Sequence, residues 1–321
     1  MAFFRKVVYN TGHIPFNPGK EVSFVPDLSA ELDQSLIASL TCPVCGCALH
    51  TSDDRHSLVC DGARTHCFDG GGGGYLPLAP RHPGGGDARD AVRARSHFLN
   101  SGYYEPARAA LCRLAAEHFP PGGRLLDAGC GEGYYSIGLA ASGFAVMGFD
   151  LSKYAVDAAA RRARAERLKK APQDGSHTLF AVGSVFELPV RDACVDGVVN
   201  VFAPCAPAEF ARVLKPGGKL IVAGAGEEHL MGLKRLLYDE THVNDSRRDL
   251  PGADVPLTLS ERRTVSFSMT VEGRENLDAL FSMTPYYWRT SRDGQGRLAA
   301  ADRLETSVSF DFFVYTKTVD E

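Results

Sequence analysis

The sequence predicts an α/β protein: a mostly parallel seven-stranded sheet with an antiparallel edge strand, preceded by a small cysteine-rich module. Three observations carry this. From Asp90 onward short apolar runs alternate with helical stretches, the pattern of βαβ units whose parallel sheet is covered on both faces. Near the end, Val265, Phe267, Met269 and Val271 alternate with polar residues, as Val308, Phe310, Phe312 and Val314 do less cleanly. That period of two suits an antiparallel edge. Upstream, five of the nine cysteines fall between residues 42 and 67.

Composition sets the bounds. The 321 residues are enough for two domains of roughly 100–200 each. Hydrophobic residues at 44% and charged residues at 23% exclude wholesale disorder. No apolar run reaches the ~18 residues of a spanning helix, so no membrane partner is expected. The first segment lacks the apolar core of a secretory signal, which makes a cytoplasmic protein the expectation. An odd cysteine count in that setting argues against a disulfide framework. A net charge of -4 is not the footprint of bulk-charge binding to nucleic acid, though it leaves room for a local basic patch.

The elements follow in order. Residues 1–41 form an extension to which no chemistry is assigned, interrupted by Pro15, Pro18 and Pro26. A short helix over 31–40 is expected there, capped by Asp27 or Ser29. The cysteine module spans 42–80, and the run Gly70 to Gly74 opens a Pro/Gly-rich stretch through Gly86 that punctuates the chain. The α/β domain takes residues 81–321. Its first part reads as two helices broken near Gly102 and Pro106. Strands are expected over 124–129, 144–150, 177–183, 196–202 and 218–224, with helices over 134–142 and 153–170.

The sharpest motif is LLDAGCGEGYYS, residues 125–136. An apolar strand ends in Asp127 and leads into Gly129-x-Gly131-x-Gly133 before a helix. Glycines there let the backbone approach a ligand, while the helix start offers free N–H groups. A dinucleotide fingerprint needs a glycine where this chain has Tyr134. The second strand ends in Asp150, a carboxylate suited to accept from ribose hydroxyls. The third delivers Gly183 and Ser184, then Glu187-Leu188-Pro189, and LKPGGKL (214–220) precedes the fifth. This ordered series resembles the class I S-adenosylmethionine-dependent methyltransferases, Rossmann-like enzymes, over roughly residues 105–225. A sulfonium methyl needs only a nucleophile placed in line, so no metal or covalent intermediate is required at the reacting centre. Asn200 and the segment Phe202-Ala203-Pro204-Cys205 end the fourth strand, where such enzymes meet substrate.

The cysteine module has its own logic. Cys42-Pro-Val-Cys45 is a two-thiolate knuckle, and Cys60 with His66 completes a closed tetrahedral zinc site after gaps of two, fourteen and five residues. Cys47 and Cys67 compete as ligands, and His56 is a weaker candidate. Four protein ligands leave no open position, so the zinc would be structural. Redox use of the knuckle is disfavoured because no thioredoxin-like βαβ unit surrounds it.

The two parts together resemble the 23S ribosomal RNA guanine-N1 methyltransferases, a family that joins a zinc ribbon to a class I methyltransferase domain. The likeness runs from residue 42 to 318. Beyond the motifs above it includes His66-Cys-Phe-Asp69, Gly74-Tyr75, ARSHFLNSGYYEPA (94–107), FDLSK (149–153), FAPC (202–205), EEHLMGLKRLLYDETH (227–242) and MTPYYW (283–288). The resemblance implies methyl transfer from S-adenosylmethionine to N1 of a guanine in a 23S rRNA hairpin. It implies zinc on Cys42, Cys45, Cys60 and His66. It also implies cofactor contacts from Tyr104, the Gly131-Glu132 turn and His229, with Asp150 on the ribose. The expected cofactor set is therefore Tyr104, Asp127, Gly129, Gly131, Glu132, Gly133, Asp150, Ser184, Asn200 and His229. No proton acceptor is assigned. Two departures stand out: the Cys60–His66 gap is two residues longer than the family's, and glycines follow Asp69 where Ala-Lys is usual.

RNA contacts are expected near the domain junction. Arg81, Arg89, Arg93, Arg95, Arg108 and Arg113 outnumber Asp87, Asp90 and Glu105 there. Residues 161–170 hold six cations and one acid, read as a solvated helix face. Tyr286, Tyr287 and Trp288 are candidates to stack a splayed base or to fill the core. The competing readings are a small-molecule methyltransferase on the same fold and a cofactor-binding module without turnover. The sequence is compatible with a homodimer.

Overall fold

The computed structural model describes residues 27, 28, 32–79, 85–169, 177–246 and 250–318. Most of the N-terminal extension, with the predicted cap Ser29, and Arg81 and Lys170 lie outside them. A first helix, α1 (Gln34–Ile37), is capped by Asp33, whose carboxylate accepts the Ser35 N–H at 2.8 Å. Asp27 is therefore not its cap: an N-cap must directly precede the first helical residue.

Three short strands follow, β1 (Leu49–Thr51), β2 (Ser57–Cys60) and β3 (Cys67–Asp69), paired antiparallel in a sheet of their own. After β4 (Leu76–Pro77) come α2 (Arg89–Asn100) and α3 (Glu105–His118). They are broken as expected, by Gly102 at φ +84° and by Pro106 in the first turn of α3. Then β5 (Arg124–Ala128), α4 (Tyr134–Ala141), β6 (Ala145–Asp150), α5 (Lys153–Leu168), β7 (Thr178–Val182), β8 (Val195–Val201), α6 (Pro207–Val213) and β9 (Leu214–Ala225) alternate in the predicted manner. The tail adds α7 (Met231–Leu237), β10 (Leu257–Glu272), α8 (Arg274–Ser282), a 3-10 turn over Pro285–Trp288, α9 (Arg292–Ala299) and β11 (Arg303–Lys317).

Among the described residues the main sheet has eight strands, in the order β10-β11-β9-β8-β5-β6-β7-β4. Seven were expected. The extra strand is β4, which pairs Leu76 with Ala181 and Pro77 with Val182, parallel to β7. Two residues, one a proline, give no periodicity to read, and proline is tolerated because this is the outer edge. The antiparallel strand is also misplaced by the sequence reading. β11 is antiparallel to both β9 and β10, so it lies inside the sheet and β10 forms the edge, running parallel to the rest. Val308 through Tyr315 are consequently buried on both faces, which blurred the alternation in that strand.

Side chains of the central strands divide by parity. Leu125, Val146 and Ile221 join one core with Phe98, Leu111, Leu233 and Leu280 from the helices on that face. Leu126, Met147, Leu179 and Val222 join the other with Phe210. That second core continues into Leu36, Leu49, Leu58 and Leu76, so the cysteine-rich segment packs on the sheet rather than apart from it. Among the described residues, no helix is long and apolar enough to cross a membrane.

Candidate active site and metal centre

The glycine loop forms where β5 leaves the sheet. Gly129, Gly131 and Gly133 hold φ of +81°, +54° and +73°, a region that glycine enters without strain. Gly129 also has no space for a side chain: a Cβ there would stand 2.3 Å from the Ala203 Cβ. The Gly129 and Cys130 N–H groups both donate to the Phe149 carbonyl, at 2.8 and 3.0 Å. These bonds fold the loop across the end of β6.

Asp150 sits at that end. Its Oδ2 accepts from the Gly131 N–H at 3.1 Å and its Oδ1 from the Ser152 N–H at 2.8 Å. Each oxygen keeps a second lone pair for another donor. Burial raises its carboxyl above the usual range, and the two backbone donors act against that rise. Asp127 is 2% exposed and accepts from the Ser136 hydroxyl, tying β5 to α4. Burial pushes its carboxyl up to about 7, against that hydrogen bond.

Glu132 is equally buried, and Arg95 from α2 answers it with Nε at 2.7 Å from Oε2. The same guanidinium pairs with Asp87. Sequence reasoning placed Arg95 among the RNA-facing arginines. Its two carboxylate partners instead make it a clamp on the glycine loop. The signal that would have found it is the buried Glu132, a charge that needs a partner.

Tyr104 begins α3 and His229 follows β9, 125 residues apart, yet the Tyr104 hydroxyl and His229 Nε2 stand 3.2 Å apart. The Ser309 N–H donates to His229 Nδ1 at 3.3 Å. With Nδ1 accepting, the neutral imidazole carries its proton on Nε2 and donates to Tyr104. Burial lowers the His229 pKa to about 4, so the ring is uncharged at neutral pH. Ser184, at the end of β7, accepts the Phe186 N–H at 3.2 Å. Asn200 donates both to Ala128 O at 2.9 Å and to Pro204 O at 3.2 Å, holding the 202–205 loop against the end of β5. The candidate residues thus gather at the carboxyl ends of β5 to β9, where open α/β sheets take their ligands. Glycines free of Cβ, a carboxylate with open lone pairs and an uncharged histidine fit S-adenosylmethionine.

The metal-ligating set is equally compact. Sγ of Cys42, Cys45 and Cys60 and a ring nitrogen of His66 lie within 4.8 Å of one another. Cys45 Sγ is 3.7 Å from Cys60 Sγ, and His66 Nδ1 is 3.5 Å from both Cys42 Sγ and Cys60 Sγ. Zinc bonds of about 2.3 Å to sulfur and 2.0 Å to nitrogen put tetrahedral ligands roughly 3.5–3.8 Å apart, so the donor set fits. The longer Cys60–His66 gap is absorbed by a loop in which the His66 and Gly62 N–H groups lower the Cys60 thiol to about 6. Cys47 and Cys67 fall outside the group, Cys67 turning to Asp69 Oδ1 at 3.6 Å.

Comparison with known proteins follows this geometry. A family model described as a methyltransferase domain matches residues 126–222. A protein of Micromonospora griseorubida, provisionally named a 23S rRNA (guanine-N(1)-)-methyltransferase, is 36% identical over 215 residues, which are 62% of this chain and 69% of that one. The chain belongs to the 23S rRNA (guanine-N1)-methyltransferase family. Another relative, the 23S rRNA (guanine(748)-N(1))-methyltransferase of Streptomyces fradiae, is 33% identical over 62% of this chain and 68% of its own. The Bacillus subtilis protein YxjB, named provisionally for 23S rRNA guanine-N(1) methylation, is 25% identical over 86% of this chain and 96% of its own. A member of this family is an S-adenosylmethionine-dependent methyltransferase, and its Cys3His cluster suits a structural zinc.

The predicted RNA-facing residues divide sharply. Arg108 pairs with Glu105 and lies over the Tyr134 ring at 4.5 Å. In α5, Arg161 pairs with Asp157 and Lys169 with Glu166, so much of that cationic run is neutralised within the helix. Arg93 and Arg113 are exposed and form no ion pair among the described residues. Arg89, Arg93, His97, Tyr154 and Arg161 line a groove of about 520 Å³ between α2 and α5. Tyr286 packs inward against Tyr238, whereas Trp288 is 84% exposed.

Proposed function

We propose that this chain methylates N1 of a guanine in a 23S rRNA hairpin. The observation that carries it is the 36% identity to a relative named for that reaction, joined to a complete glycine-loop and carboxylate set in the present fold. A cytoplasmic site of action goes with that substrate. We assign residues 42–80 to a zinc ribbon that presents the RNA and 81–321 to the methyltransferase domain.

Bound S-adenosylmethionine supplies a sulfonium methyl that a ring nitrogen attacks in line. Asp150 would accept from the ribose hydroxyls, and the 129–133 backbone would border the cofactor. Tyr104 and His229 would wall its reactive end. A neutral His229 matters there, because a second cation beside a sulfonium would oppose binding. The guanine N1 proton must leave as the bond forms, and catalysis rests on placing that nitrogen. The groove lined by Arg89, Arg93 and Tyr154 supports an RNA ligand, since exposed arginines beside an aromatic ring suit phosphate and base.

The test is incubation of the full-length protein with methyl-labelled cofactor and 23S rRNA lacking the modification, followed by nucleoside mapping. Label in 1-methylguanosine is expected. Label confined to small metabolites would overturn the RNA reading in favour of the small-molecule one. Cofactor binding without any transfer would point to a non-catalytic module.

A further inference from the structure

Phe202 directly follows β8 in a conformation that its side chain disfavours. Its φ is +51°, and a bulky residue in the left-handed region is an outlier that surrounding structure must enforce. The enforcement is visible. The Phe202 N–H donates to Ala223 O at 2.9 Å, and Asn200 grips Pro204 O two residues on. Ala203 fills the space left by the absent Gly129 side chain, which seats the segment against the glycine loop.

The result is an aromatic ring 50% exposed beside the glycine loop's Ala203 contact. It is backed by Phe310 at 5.0 Å and by His229 at 5.6 Å between ring centroids. Both backing rings are buried, so the half-open ring is rigidly held. An apolar ring that served only the core would turn inward. This one is held half-exposed by a strained backbone, beside the ring of His229 and next in sequence to the Ala203 that meets Gly129.

We propose that Phe202 is the platform on which the target guanine stacks, setting its N1 in line with the transferred methyl. The proposal rests on the rRNA-guanine reading above. Purine faces stack on aromatic side chains without hydrogen-bond readout, and the flat ring fixes the plane in which N1 lies.

The test uses the full-length enzyme, unmodified 23S rRNA, and the variants Phe202→Leu and Phe202→Trp. Phe202→Leu should lower kcat/KM for rRNA by about ten- to a hundredfold, the loss expected of one stacked base. Cofactor affinity by calorimetry should stay within about twofold, and Phe202→Trp should recover most of the activity. Leucine with wild-type kcat/KM overturns the stacking role. So does leucine weakening the cofactor as much as the RNA reaction, which would make the ring a cofactor wall. Wild-type enzyme that leaves rRNA guanine unlabelled overturns the underlying reading instead, an outcome no Phe202 variant can mimic.

Discussion

His229 Nε2 meets the Tyr104 hydroxyl at 3.2 Å, joining the segment after β9 to the residue that caps α3 within a fully buried contact. Asp127 is also buried, and among the described residues Ser136 is its side-chain hydrogen-bond partner. Burial moves His229 and Asp127 far from their usual titration ranges, His229 downward and Asp127 upward.

The pH dependence of stability follows. His229 falls from 6.5 to about 4 on folding, so the unfolded chain binds its proton first. Its contribution is present above pH 6.5 and is lost as pH drops toward 4, on the order of 3 kcal/mol. Asp127 rises from 3.8 to about 7, so its contribution is full below pH 3.8 and is lost as pH climbs to 7, by a comparable amount. The two slopes oppose each other between pH 4 and 6.5. Denaturant unfolding of His229→Gln should therefore show stability falling with pH across that window, and Asp127→Asn should show it rising. Parallel profiles for both variants would contradict the assignment.

Asp150→Ala should raise the dissociation constant for S-adenosylmethionine by about ten- to a hundredfold, the worth of charged hydrogen bonds to two hydroxyls. It also strips acceptors from the Gly131 and Ser152 N–H groups, so the loop should loosen. Calorimetry decides this, and unchanged affinity would refute the ribose role.

Gly129→Ala combines a left-handed backbone with a 2.3 Å clash against Ala203. The two costs together should destabilise the protein by about 2–4 kcal/mol. Thermal unfolding reads the stability, and cofactor titration should show binding weakened in parallel.

Purified without chelator, the protein should carry about one zinc per chain by elemental analysis. Cys45→Ser and Cys60→Ser should each abolish that content and lower the midpoint of unfolding, because metal binding contributes to folding directly. Cys47→Ser and Cys67→Ser should leave both unchanged, since neither sulfur joins the cluster.

Much of this was legible in the sequence, for reasons that particular residues illustrate. Strands such as 124–128 and 145–150 are apolar runs bounded by glycine or acidic turns, so periodicity finds them. The Cys42–Cys45 knuckle is local, and only its two distant ligands needed a fold to be chosen. What stayed hidden depends on order in space. Nothing in Val308–Val314 says that the strand lies inside the sheet rather than at its rim. The helices α6 to α9 went unassigned because they are short, at seven to nine residues, and two of them, α7 and α9, contain glycine. Arg95 and the segment from Phe202 were both named from the sequence, but the clamp on Glu132 and the strained φ of Phe202 were not, because a partner across the fold and a backbone dihedral leave no mark on composition.

Leu76 and Pro77 supply the outermost rung of the eight-stranded sheet, and that rung has a bearing on any attempt to trim the molecule. Cutting away the first eighty residues would strip β7 of its outer neighbour and lay bare the backbone edge at Ala181 and Val182, together with Leu179 beneath it. A naked parallel strand of that kind invites pairing with its own copies, so the shortened catalytic half should precipitate. The metal-bearing segment is thus also the guard of an otherwise adhesive border.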